Sequence, residues 1–464
     1  INTIREDFLG FETVTETTGS FLRTTIIRVL KSFGYSISKC RGQGYDGGAN
    51  MSGKIKRVHA LISYEHPLAF YSHCFSHSLN LVISGSCDLR PIRNMLGVVS
   101  QVSNFFTGSA KRQHYLSAII EKSTVKPERR KTKLKSYNPT RWVERHDSLM
   151  AFKELYPYIL LALEDIQESE AGDISSKAMT LESALGRSEF IVALQIACSC
   201  LVYTMVLSQR LQEKSIDLTK ALGHVDNVKS TLKEMLQQKE TTFKQIYGCA
   251  EELAAFAKTT ISLPRSALKQ SHRSNFPANT AEEYYRHSVY DPFLSHIISE
   301  LEERFGERLA KVFPLEGLIP SKLNACTNEQ ILKAAWIYEQ DLLCISEAVL
   351  QTEIVMWRNK WKDVQELPCD SLEALAHCDD FTPNVRVLLR LFATLHVSTA
   401  SPERCFSVLR LPKTHLRSTM KETRLNGLAS AYFYKYGLSM VEKIIEDFAR
   451  SKPRRMEFTD WSKH

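Results

Sequence analysis

The sequence predicts an α/β domain that gives way to a long all-helical region. Short β-type runs alternate with helical runs from Arg5 to Ile119. Beyond Trp142, apolar residues recur three, four or seven positions apart, the spacing of a packed helix face. Alternation of this kind implies a mixed sheet flanked by helices.

The elements follow in order. Arg5 to Val14 is short, aromatic-rich and bounded by polar residues, which predicts a strand. Thr18 to Phe33 places Leu22, Ile26, Val29, Leu30 and Phe33 at helical spacing, with Gly34 as the stop. Ser36 to Tyr45 predicts a second strand with Asp46 at its exit, followed by Gly47 and Gly48. Met51 to Tyr64 predicts a basic amphipathic helix, Ala69 to Cys74 a short buried strand, and Ser76 to Ile119 further helices. Leu207, Leu211, Leu218, Leu222, Val225, Val228, Leu232 and Met235 trace the seam of one long helix. Ile261 to Thr280, with two prolines, predicts a loop. Helices resume from Ala281 to Glu303 and from Glu329 to Trp361, and Val385 to Leu395 suits either a helix or a strand. Ser401 predicts a cap, Pro402 a first helical residue and Glu403 a first-turn carboxylate. Thr419 and Glu422 have capping-box spacing, ahead of the apolar stripe Leu425, Leu428, Ala429, Tyr432 and Phe433.

Composition bounds the class. The 464 residues are 43% hydrophobic and 24% charged, ordinary for a globular protein with more than one core. No apolar run approaches the roughly 18 residues of a membrane span, so no membrane partner is expected. The chain opens at Ile1 without a signal pattern, and its start without Met suggests a fragment or processed product. Eleven scattered cysteines without paired C-x-x-C sets favour reduced thiols in the cytosol or nucleus. The net charge of +8 is uneven: Lys122 to Arg141 holds eight Lys/Arg against Glu128, and Arg404 to Arg424 six against Glu422. Such stretches suit contact with a phosphate backbone, or serve as a solvated loop and helix face.

The candidate chemical residues each have a bland alternative. Asp46 before two glycines suits a tight turn as well as a ligand-facing carboxylate. Glu403 suits a helix start. Cys74-x-x-His77 has the spacing of half a zinc site; a second half with matching spacing is missing, although Cys40 and Cys87 could donate, and a buried, hydrogen-bonded pair is the alternative. Trp142, in Thr-Arg-Trp-Val-Glu-Arg-His, suits core packing.

Their order carries more than any one of them. A strand-end Asp46, the Cys74-x-x-His77 helix start, Arg141-Trp142 after a basic loop, a large helical insert and Ser401-Pro-Glu-Arg-Cys-Phe-Ser407 together resemble the hAT-superfamily transposases. His272 through Phe305 resembles the hAT-derived proteins called zinc finger MYM-type or protein-kinase-inhibitor-repressor-like, and Leu416 to Ala429 resembles the family's C-terminal dimerisation segment. The resemblance implies a ribonuclease-H-like fold interrupted by an all-helical insertion: 1–148 the first part of the core, 149–384 the insertion, 385–440 the end of the core with the dimerisation segment, and 441–464 a basic tail. It implies that Asp46 and Glu403 are two of three catalytic carboxylates holding Mg²⁺ (or Mn²⁺). Two such ions about 4 Å apart would activate water or a DNA 3′-OH. Trp142 matches the family's tryptophan beside flipped-out DNA. Arg141, Lys131, Lys133 and Arg404 are the basic residues expected to meet DNA, Cys74 and His77 match a structural motif, and Leu425, Leu428 and Tyr432 are expected to mediate self-association.

This sequence departs from the family pattern at its start, because the first catalytic Asp falls before the segment matching Ile1 to Val14. The resemblance therefore implies a nuclear, transposase-derived DNA-binding and dimerising protein, inactive as given. The alternatives are a domesticated, non-enzymatic transcriptional regulator or a helical scaffold without a DNA role.

Overall fold

The computed structural model describes residues 3–48, 51, 57–123, 134, 142–213, 216–264, 278–306, 311–343, 346–409, 411, 419–434 and 441–450. The chain divides into two compact units, one of Ile1–Ile4 with Thr18–Ala400, the other of Arg5–Thr17 with Ser401–His464.

The first unit opens with α1 (Gly19–Ser32). The Thr18 hydroxyl accepts the Phe21 N–H at the helix start, and Gly34, at φ +80°, ends the helix as Tyr35 N–H returns to the Leu30 carbonyl. The predicted second strand shrinks to β1 (Gly42–Tyr45), preceded by a single 3-10 turn at Ile37–Lys39. Next come α2 (Val58–Glu65), β2 (Phe70–His73), α3 (Phe75–Ser86), α4 (Arg90–Thr107) and α5 (Ala110–Lys122). β1 and β2 pair in parallel, Gly42 opposite Phe70 and Tyr45 opposite His73, and form the one sheet among the described residues.

The helical region comprises α6 (Trp142–Ser169), α7 (Asp173–Leu185), α8 (Ser188–Leu211), α9 (Leu218–Gln237), α10 (Lys239–Phe256), α11 (Ala281–Tyr285), a π turn at Arg286–Tyr290 and α12 (Asp291–Gly306). It continues through α13 (Asn328–Ala335), α14 (Glu347–Lys360), α15 (Ser371–Ala376) and α16 (Pro383–Ala393). The latter makes Val385–Ala393 helical, with Thr394 as its cap. Contrary to expectation, α8 is long and apolar enough to cross a membrane by length and composition. Its side chains from Phe190 to Leu201 are almost all buried in the core instead.

The predicted single seam from Leu207 to Met235 is in fact two helices. α8 ends at Leu211 and α9 starts afresh at Asp217, whose carboxylate accepts the Lys220 N–H at 2.8 Å. The other Asp217 oxygen accepts the Ser371 N–H at 2.9 Å, while Asp370 caps α15 through the Glu373 N–H and pairs with the Lys220 ammonium. Two helix starts thus exchange carboxylates, which compensates the burial of both. The apolar periodicity runs on across the break because both helices face the same core.

One large cluster of buried residues extends from Phe75 to Val397. A second, small one of Val58, Ile62 and Ala69 lies under α1, where Leu22 and Ile26 cover it. The sheet joins the helical region through Arg41, whose guanidinium makes a forked pair with Asp341 at 2.6 and 2.7 Å, and through Phe70, edge-on to the buried Tyr338.

In the second unit lie α17 (Ala400–Val408, its first residue belonging to the first unit), α18 (Glu422–Phe433) and α19 (Val441–Arg450). Arg5–Val14 is not a strand. It has no ladder partner among the described residues and runs irregularly along α18. α17 begins one residue before Ser401, so Ser401 does not cap it, although Glu403 does fall in its first turn. The Thr419–Glu422 capping box does not form either: Lys421 is the cap residue, and the Glu422 carboxylate accepts the Thr13 N–H.

Candidate functional site

The site begins with the alternation Gly42-Gln43-Gly44-Tyr45. On a strand, successive side chains point to opposite faces. Gln43 and Tyr45 point toward α2. The Gln43 amide donates to Ser63 Oγ at 2.8 Å and to the Ala69 and His59 carbonyls, locking α2 and β2 to the strand. Burial raises the Tyr45 phenol well above its ordinary range, so it stays neutral. Tyr71 stacks between Tyr45 and His59, with ring centroids at 6.1 and 4.2 Å.

The opposite face explains the glycines. The His396 ring lies on Gly44 so closely that a Cβ there would overlap it. The segment Leu395–Thr399 continues beside β2: Phe75 N–H donates to the Val397 carbonyl at 2.8 Å, and Thr399 N–H donates to Cys74 Sγ at 3.2 Å. Ser398 Oγ sits 3.2 Å from Ser76 Oγ and accepts the Ala400 N–H.

Asp46 leaves β1 into solvent. Its Oδ1 accepts the Gly48 N–H at 3.2 Å, a side-chain turn of the kind Asp makes readily. The His77 ring covers Gly47 from α3, leaving no room for a side chain there. His73 lies 5.2 Å from His77, ring to ring, and its Nδ1 is shared between the Cys74 carbonyl and Ser78 Oγ. Cys74 is buried and hydrogen-bonded and His77 only half-buried, so the C-x-x-H pair divides its work. Cys74 fastens the Ser398–Thr399 segment, and His77 packs on the turn that carries Asp46.

Glu403 is exposed on α17, in the second unit, and Arg404 donates to Ser401 Oγ at 3.0 Å. Trp142 begins α6. Its side chain lies outside the described residues, as do Arg141, Lys131 and Lys133. Of the stripe on α18, Leu425 and Ala429 are buried, whereas Leu428 and Tyr432 are 40% and 46% exposed. Among the described residues no three His, Cys, Asp or Glu side chains come together as metal donors.

Sequence reasoning missed His396, Ser398 and Asn426. The first two lie in an unremarkable apolar-to-polar stretch, and their partners are more than 300 positions away. Only the alternation of glycines at 42 and 44 signalled that something had to approach β1.

Comparison with known proteins adds two findings. Residues 2–57 match the DUF4371 family, described as "ZMYM1/FAM200, RNase-like domain". The chain is 29% identical over 443 residues to the human (Homo sapiens) protein named "52 kDa repressor of the inhibitor of the protein kinase", and 29% identical over 444 residues to the Mus musculus protein of the same name. Each match covers 92% of this chain and 57% of the relative, so the chain spans just over half the length of these curated relatives. The mostly helical chain thus carries, at its start, a segment similar to an RNase-like domain.

Proposed function

We propose that this chain is the transposase-derived part of a non-catalytic nuclear regulator that binds DNA and associates with itself. The observation that carries this reading is the state of Asp46. Its carboxylate closes a turn on Gly48, and no set of three metal donors surrounds it among the described residues. Similarity across 92% of the chain to proteins named as repressors supports a regulatory role over DNA cleavage. The RNase-like match at residues 2–57, which includes Asp46, supports descent from a nuclease-like fold. In this reading Asp46 and Glu403 are inherited positions. Arg141, Lys131, Lys133 and Arg404 contact the DNA backbone, Trp142 stacks on a flipped-out base, and Leu428 and Tyr432 serve self-association.

The test is a nicking assay on supercoiled DNA with the purified chain in Mg²⁺ or Mn²⁺. The expected result is no cleavage above that of an Asp46→Ala, Glu403→Ala double variant, alongside DNA binding that weakens steeply with salt. Metal-dependent cleavage that either substitution abolishes would instead establish the transposase reading.

A further inference from the structure

Where α9, α12 and the start of α3 meet in the first unit, the helical core is not filled. A cavity of about 190 Å³ opens there, bounded by Leu222 and Val225 of α9, Leu301 and Phe305 of α12, Phe75 of α3, and Phe313. Protein interiors hold few voids larger than a water molecule, so a space of this size is a distinct feature of the fold. Gly306, the last residue of α12, also lines it, and an added side-chain carbon there would meet nothing within 4 Å. The lining sorts by depth. Val225, Leu301 and Phe75 are buried, Leu222, Phe305 and Phe313 are half-buried, and the polar members Asp226, Lys229 and Arg304 reach solvent. Phe305 stands edge-on to Phe75, with ring centroids 5.2 Å apart. The floor is therefore apolar and aromatic, and the mouth is charged. Those charges are not equivalent. Lys229 is tied to Asp226, one turn away on the same helix, at 2.6 Å. Arg304 gives only its Nε to Glu300, at 2.7 Å, which leaves its two terminal nitrogens as donors.

We propose that this cavity binds a small aromatic carboxylate, with one ring in the apolar floor and the carboxylate on the Arg304 guanidinium. The volume sets the ring count. An apolar cavity of about 150 Å³ takes up benzene, so this slightly larger one holds a single ring with a short substituent. The lining sets the shape, because Phe75 and Phe305 offer a ring edge-to-face contacts that an alkyl chain does not gain. The mouth sets the charge. A planar guanidinium with two terminal nitrogens to give matches a carboxylate through parallel N–H donors. Asp226, the one acid in the lining, is neutralised by Lys229 and so offers a cationic ligand little. The proposal is independent of the DNA-binding reading above, since it uses none of the same residues.

Fluorine NMR of 4-fluorobenzoate with the full chain tests it, with neutral 4-fluorotoluene and cationic 4-fluorobenzylamine as controls that share the ring. The benzoate is expected to bind most tightly, the toluene more weakly and the benzylamine most weakly. Arg304→Gln should weaken the benzoate about tenfold, the loss of one charge-assisted hydrogen bond, and leave the toluene unchanged. Leu222→Trp, which fills the space, should abolish binding of all three. Circular dichroism confirms that both variants are folded. Equal binding of the three rings, a benzylamine that binds ahead of the benzoate, or an Arg304→Gln variant that binds the benzoate like wild type overturns the carboxylate assignment. Benzoate binding that survives Leu222→Trp places the ligand elsewhere and overturns the site. No binding of any probe by the wild-type chain up to about 10 mM overturns it outright. If either variant fails to fold, photolabelling of the wild-type chain with 4-azidobenzoate decides: label on α9, α12 or Phe75 supports the cavity, and label only elsewhere refutes it.

Discussion

Gly44 and Gly42 look alike in sequence and occupy the same face of β1, yet they differ in what they meet. A side chain on Gly44 would collide with the His396 ring, whereas one on Gly42 has the His396 main-chain nitrogen at an ordinary 3.9 Å. Gly44→Ala is therefore expected to destabilise the chain by about 1–3 kcal/mol, the usual cost of forcing an atom into a packed site. Gly42→Ala should be neutral or stabilising by up to about 1 kcal/mol, since alanine restricts the unfolded chain. Urea denaturation of both variants checks this. A double variant Gly44→Ala, His396→Ala should recover most of the loss, because the two residues interact directly. Equal effects at 42 and 44 would show that strand propensity, not the His396 contact, selects glycine here.

At the scale of elements, helices were legible and only some of their ends were. The Thr18 start, the Gly34 stop and the helical stretch of α4 follow from local chemistry that a sequence displays, whereas Val385–Leu395 suited a helix and a strand equally. Thr419 and Glu422 had the right spacing for a capping box, but Glu422 found a better partner in the Thr13 N–H, 409 positions away. Arg5–Val14 has strand composition but no ladder partner among the described residues, and composition does not display pairing. A buried carboxylate in a short element gives this scale its prediction. Glu316, in the 3-10 segment Phe313–Leu318, is held above the ordinary glutamate value of 4.5 by burial, an effect that Lys322, 3.6 Å away, only partly offsets. The folded state thus binds the proton more tightly than the unfolded one. The sign follows: stability from this group is fully present below pH 4.5 and is lost as pH rises through the higher folded value. Glu316→Gln, which is neutral throughout, should be more stable than wild type relative to its own acid value once pH exceeds that range. Melts of both proteins from pH 4 to 8 (about the ordinary carboxylate range and above) check it, and parallel curves would rule the role out.

For the whole molecule, the sequence displayed the succession of an α/β start and a helical continuation, because periodicity is local. It did not display the joint between them, because a joint is made by residues distant in the chain. Arg41 and Asp341 are the clearest case. They lie 300 positions apart, in segments that each read as ordinary, and meet in a forked pair with only 12% and 22% of their side chains exposed. Arg41 also donates to the Ser38 and Cys40 carbonyls, so one guanidinium fixes both the entry to β1 and the Trp336–Asp341 turn of the helical region. Its removal should therefore be felt in both parts. Asp341→Ala leaves the guanidinium partly buried without its partner. The expected cost is about 2–3 kcal/mol, between that of an exposed pair and that of a fully buried one. Asp341→Asn, which keeps one acceptor oxygen, should lose less. Because the joint links the small cluster under α1 to the large helical core, hydrogen exchange offers the sharper readout. In Asp341→Ala the amides of β1 and β2 should exchange faster while those of α8, deep in the helical core, keep their protection. Uniform acceleration in both would mean that the sheet and the helical region open as one cooperative body, with the Arg41 pair only one contact among many.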